Sequence, residues 1–129
     1  MVVGGGQRPV RRIGPDETQP ADPSPGMSRR RAFEAPGLWA GVVHTEPGAV
    51  SGWHHHGEHE TSLYVVAGAM RLDFGPGGGS SVVAGPGDFL HVPAQVVHRE
   101  SNPGDVESTA VIARSGAGAP TVNVDGPEP

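Results

Sequence analysis

From about Met27 onward the chain is cut by glycine and proline turns into short β-favouring runs, and no segment sustains a helical period. Residues 29–35 and 38–46 are divided by Pro36-Gly37, residues 50–56 follow Pro47-Gly48, and residues 63–67 pass through Gly68 into 70–74. A glycine-rich loop, residues 75–80, leads to a run at 81–84, and Gly85-Pro86-Gly87-Asp88 makes a further tight turn. Further runs lie at 89–92, 96–100 and, beyond Asn102-Pro103-Gly104-Asp105, at 107–113. Met70, Leu72 and Phe74 alternate with Arg71 and Asp73, which is the period of a strand. About eight to ten strands at this spacing predict an all-β fold, a small antiparallel sandwich or barrel, with the jelly-roll β-barrel best matched to the length.

Of 129 residues, 35 are glycine or proline and only 35% are apolar, so the core is thin and one domain is the limit. A small sheet protein with so little apolar surface gains from pairing with a second copy, and a homodimer is expected. Residues 1–26 are too rich in glycine, proline and charge to bury much and read as a flexible N-terminal arm or an edge-pairing one. Residues 27–115 carry the fold, and 116–129 form a tail with room for one more edge strand at 121–124.

Cysteine is absent, which excludes disulfides, thiolate zinc sites, iron–sulfur clusters and cysteine nucleophiles. Any metal must be held by nitrogen and oxygen. Lysine is absent too, so all nine positive charges are arginine, and Schiff-base chemistry and a lysine base are excluded. A net charge of −5 disfavours a nucleic-acid partner. Neither Arg11-Arg12 nor Arg29 to Arg31 is followed by an apolar stretch long enough for export or membrane insertion. The expectation is a soluble cytoplasmic protein with a small-molecule ligand and no membrane partner.

Four of the seven histidines fall within six residues, in Trp53-His54-His55-His56-Gly57-Glu58-His59-Glu60. In a strand, His54 and His56 share the inward face while His55 points to solvent. Glu60 lies just beyond, and His98 sits on a later run that a folded sheet can bring alongside. Imidazole with carboxylate suits Zn, Fe, Ni, Mn or Cu, and three or four protein ligands leave positions open for a small molecule. A purification tag is a poor explanation, because the cluster is internal, interrupted and embedded in strand-like sequence.

These residues resemble the cupin superfamily. Its first motif corresponds to Gly48, AVSGW, His54-His55-His56, GEH, Glu60 and Gly68, and its second to Gly87, DFLHV, Pro93-Ala94-Gln95, VV, His98, RES and Asn102. The resemblance spans about residues 38–115 and implies a small single-domain jelly-roll barrel. It also implies a divalent transition metal (Fe, Mn, Zn or Ni) on His54, His56, Glu60 and His98. Two departures stand out. The family glycine after the proline is Gln95, which removes the freedom of positive φ there. Seven residues rather than six precede Gly68, so counting back from it places the carboxylate ligand on Thr61. A one-residue bulge that restores Glu60, an inward turn of His59, or three imidazoles plus water each satisfy that spacing.

His44 and His91 read as half-buried strand histidines, with His91 also able to orient a ligand imidazole. Trp53 and Tyr64 read as packing, and Met70, Leu72, Phe74, Val65, Leu63 and Phe89 as core or dimer contacts. Arg99 and Glu100 suit a surface ion pair. The resemblance implies a metal-dependent enzyme acting on a small organic substrate, with dioxygenase, isomerase, decarboxylase and cyclase chemistry all open. Glu60 is the side chain expected to accept a proton, hydroxide on the ion being the alternative. A non-catalytic metabolite-binding or sensing module is the competing expectation, since a fold alone does not settle activity.

Overall fold

The computed structural model describes residues 8–118 and 120–129. Eleven strands run in the order β1 (Gln19–Ser24), β2 (Met27–Ala35), β3 (Leu38–Thr45), β4 (His54–His55), β5 (Thr61–Ala67), β6 (Met70–Phe74), β7 (Ser80–Ala84), β8 (Phe89–Val92), β9 (His98–Ser101), β10 (Ser108–Ser115) and β11 (Val122–Asn123). Two short 3-10 turns, Pro15–Glu17 and Pro76–Gly78, are the only helical pieces among the described residues. No helix among them is long and apolar enough to cross a membrane.

The strands form two antiparallel sheets, a six-stranded one ordered β1-β2-β3-β10-β5-β8 and a five-stranded one ordered β11-β4-β9-β6-β7. The fold is all-β and consistent with a jelly roll. The hydrogen-bonded ladder does not close into one continuous barrel, because each sheet keeps two edge strands. At one edge lies β1, inside the stretch read as an arm, where Pro20 and Pro23 forgo ladder donors that an interior strand would need. The centre of the larger sheet belongs to β10, whose run of eight residues lacks glycine and proline and pairs with β3 on one side and β5 on the other.

The core lies between the sheets. Trp39, Val43, Leu63, Val65, Leu90, Val92, Ala110 and Ile112 come from the larger sheet and Met70, Leu72 and Ala84 from the smaller. Gly68 makes the corner at which the chain leaves one sheet for the other. Its φ is +75, a conformation that side chains rarely adopt, and a Cβ would come within 2.8 Å of Glu107 O and 2.7 Å of Ser108 Cα. Behind this corner the buried Asn102 donates to the carbonyls of Thr45 and Val106 and accepts from Gly104 N–H, fixing the loop that feeds β10.

Candidate metal centre

Alternation decides which histidines turn inward. His54 and His56 are buried on either side of the half-buried His55, and His98 is buried at the start of β9. The ladder pairs His54 directly with His98, so imidazoles 44 residues apart in the chain become cross-strand neighbours (98 − 54). Ring centroids lie 4.4 Å apart for His54 and His98, and 5.0 Å apart for both pairs involving His56. One ring nitrogen from each residue falls within 4.8 Å of the other two. A tetrahedral ion at about 2.1 Å from each nitrogen needs donors roughly 3.4 Å apart, within reach of small χ rotations.

The other ring nitrogen of each histidine is already committed. Nδ1 of His54 donates to Gly52 O at 2.9 Å, that of His56 to Pro120 O at 2.6 Å, and that of His98 to Val96 O at 2.9 Å. A carbonyl only accepts, so each Nδ1 carries a proton, and in the neutral ring Nε2 is the nitrogen that presents a lone pair. This outer ring of acceptors fixes tautomer and orientation, as metal-bound imidazoles require. Burial, helped by the Arg114 charge, lowers the His56 pKa to about 3, and burial with the neighbouring His54 lowers that of His98 to about 4. Both rings are therefore neutral at physiological pH. The donor set, three imidazoles each anchored through Nδ1–H to a backbone carbonyl, fits a divalent transition ion.

Glu60 stands apart from this cluster. It precedes β5, and its exposed carboxylate accepts from Ala94 N–H at 2.6 Å and meets His91 Nε2 at 2.7 Å, contacts that hold its pKa below the usual carboxylate value. Thr61, next in sequence, is the residue turned inward, and its buried Oγ1 has no hydrogen-bond partner among the described residues. His59 is buried too, but its ring nitrogens face the carbonyls of Ser115 and Gly118 and so brace the C-terminal segment. His91 pairs with Glu60 instead of a ligand imidazole. Gln95 adopts a φ of +69 despite its side chain, held there by its N–H on Gly57 O and its amide on Glu58 Oε1.

Other residues gain importance that the sequence reading missed. Glu100 is no surface ion: it shares the inward face of β9 with His98 and pairs with the buried Arg29 of β2. That ion pair holds its pKa down at about 2 against the opposing cost of full burial. Arg99, expected as its partner, points the other way, binds Asp73 and stacks over Trp53 at 4.6 Å. Arg114, on the inward face of β10, stacks over Trp39 at 4.5 Å. The signal for both was the period of two counted from His98 and from Ile112.

Two cavities reach the histidines from opposite characters of surface. One, of about 260 Å³, is polar and is lined by His54, His56, Arg29, Ser51, Thr121 and Asn123. The other, of about 420 Å³, is lined by His98 with the apolar Leu72, Phe74, Leu90, Val92 and Val96.

A family model described as a cupin domain matches residues 41–113. The chain belongs to the cupin family. Among solved structures, this cupin is similar to KdgF from Halomonas sp., with 26% identity over 81% of this chain and 94% of that one and a TM-score of 0.66. A double-stranded β-helix protein from Klebsiella pneumoniae subsp. pneumoniae matches at 22% identity over 90% and 98% of the two chains, TM-score 0.72. Oxalate decarboxylase from Bacillus subtilis matches at 23% identity over 84% of this cupin but 30% of its own length, TM-score 0.72. The last two likenesses speak for the fold alone. A search of curated proteins found no match.

Proposed function

We propose that this cupin binds one divalent transition ion on His54, His56 and His98 and uses it as an enzyme acting on a small organic molecule. The observation that supports this most strongly is the commitment of all three Nδ1–H groups to backbone carbonyls, which leaves three Nε2 lone pairs facing one another. A structural histidine cluster has no need of that uniform tautomer. When bound, the ion supplies Lewis acidity to a ligand oxygen, the chemistry common to isomerase, cyclase and dioxygenase reactions.

The chain's own residues would then select and orient. The apolar cavity at His98 suits the hydrocarbon part of a ligand, and the polar cavity at His54 and His56 suits its oxygens. Arg29, tied to Glu100, Ser24 Oγ and Asp22 O, forms a rigid wall of the polar side. The test is oxygen uptake and product analysis with the Fe-, Mn-, Ni- and Zn-loaded protein against diketones, catechols and hydroxy acids. Turnover that depends on the ion supports an enzyme. Ligand-induced thermal stabilisation without turnover would instead assign a metabolite-binding module.

The same reading includes a homodimer. Its support is a row of outward-facing apolar side chains, Val111, Tyr64 and Phe89, lying side by side on β10, β5 and β8. Tyr64→Glu is expected to convert the dimer to a monomer in sedimentation equilibrium; an unchanged sedimentation weight would remove this face as the interface.

A further inference from the structure

Four buried side-chain atoms have no hydrogen-bond partner among the described residues, and three of them sit together: Thr61 Oγ1, Arg114 Nε and Arg114 Nη1. Thr61 and Arg114 face each other across the β5–β10 ladder, both inward, with 2% and 3% of their surface exposed. Directly opposed residues have Cβ atoms about 5 Å apart. An arginine cannot shed its proton to escape burial, so its charge must be met by an acceptor.

Among the described residues no acceptor hydrogen-bonds to Nε or Nη1. The two carboxylates whose fields reach Arg114 are engaged elsewhere, Glu100 by Arg29 and Asp22 by the Thr121 hydroxyl. Arg29 and Glu100 pair with each other, and Asp22 acts on Arg114 only through its field, so the guanidinium is stacked on Trp39 but has no hydrogen-bonded counter-ion. Its field is felt at His56 and at His98, which places it near the triad. The side chain is not held there by packing need alone, since Ala110 and Ile112 serve that purpose on the same face of β10.

We propose that Arg114 and Thr61 form the anchor for the carboxylate of a small organic acid, which supplies to the site the negative charge that Glu60, turned outward, does not. A carboxylate is acceptor-only, carries the missing charge and can take both a guanidinium N–H and a hydroxyl. Its oxygens also suit a divalent ion, so the ligand would join the anchor to the triad. The proposal rests on the reading that the triad is a ligand-binding centre, and it narrows the substrate class of that centre to carboxylates.

The test uses malonate as the probe and malonamide as its uncharged counterpart, with metal-free and Zn-loaded full-length protein. Malonate is expected to raise the melting temperature of the metal-free wild type and malonamide is not. The Arg114 side-chain Nε–H resonance is expected to shift downfield with malonate, a readout that needs no variant. For the Zn-loaded protein, Arg114→Met is expected to weaken malonate at least tenfold with Zn stoichiometry unchanged. Equal malonate binding by wild type and Arg114→Met, or no malonate effect on the Nε–H resonance, would overturn the anchor. Failure of the wild type to take up Zn would instead count against the metal reading, while the metal-free arm still decides on Arg114.

Discussion

Two buried arginines flank the same cluster of histidines and are treated in opposite ways. Arg29 reaches from β2 to Glu100 on β9, and its other Nη donors are taken by Asp22 O, Ser24 Oγ and Met27 Sδ. Arg114 reaches inward from β10 and, apart from its stack on Trp39, has Nε and Nη1 without a hydrogen-bond partner among the described residues. Burial is the same for both, at 7% and 3% exposed. A saturated arginine fixes the distance between two strands, whereas an unsaturated one is built for something that arrives later. The contrast separates the part of the centre that holds the fold from the part that meets a ligand.

The contrast is broken most severely by removing the partner of the saturated member. Glu100→Gln leaves Arg29 buried and unpaired and is expected to destabilise the protein by about 3–5 kcal/mol in urea unfolding. A loss below about 1 kcal/mol would show that the pair is more hydrated than its burial implies.

Acid is expected to do the same gradually. The Glu100 pKa is depressed to about 2, so its contribution is complete above the ordinary carboxylate value of 4.5 and is lost as pH falls towards 2. His56 and His98 are depressed from 6.5 to about 3 and about 4, and the unfolded state therefore binds more protons in that interval. Both effects have one sign: urea midpoints of the metal-free protein should fall continuously as pH drops from 6.5 towards 3. A flat profile across that range would contradict the buried neutral state of the two rings.

The smallest expected effect falls on the unsaturated member. Arg114→Met loses a cation–π contact of about 1–2 kcal/mol but also removes a buried charge with no hydrogen-bonded counter-ion, so stability should change by no more than about 1 kcal/mol in either direction. A loss matching that of Glu100→Gln would mean that Arg114 is structural, and the contrast would vanish.

Much of this arrangement was legible from the period of two. It put Met70 and Leu72 inside, placed His54 and His56 on one face with His55 outside, and drew His98 to them through the second motif. The same rule, applied past His98 and along the last long strand, would have turned Glu100 and Arg114 inward; their charge argued for the surface, and pairing or ligand need overrode it. Glu60 was less accessible to such reasoning. Spacing from His56 and spacing from Gly68 disagree by one residue, and in a strand one residue is a change of face, so the carboxylate lies outside and Thr61 inside. Phe89, read as core or dimer contact, lies 71% exposed on the outer face, because the strand period says which residues share a face but not which face is covered. The carbonyls that fix the three imidazoles, Gly52, Val96 and above all Pro120 in the tail, carry no side-chain signal at all.

The central claim is that three imidazoles form one metal site, and cobalt(II) titration of the metal-free protein followed by visible absorption tests it most directly. The account predicts d–d bands that saturate at one ion per chain and disappear in His54→Ala and in His98→Ala. Saturation well below one per chain, or bands that survive both substitutions, would contradict it.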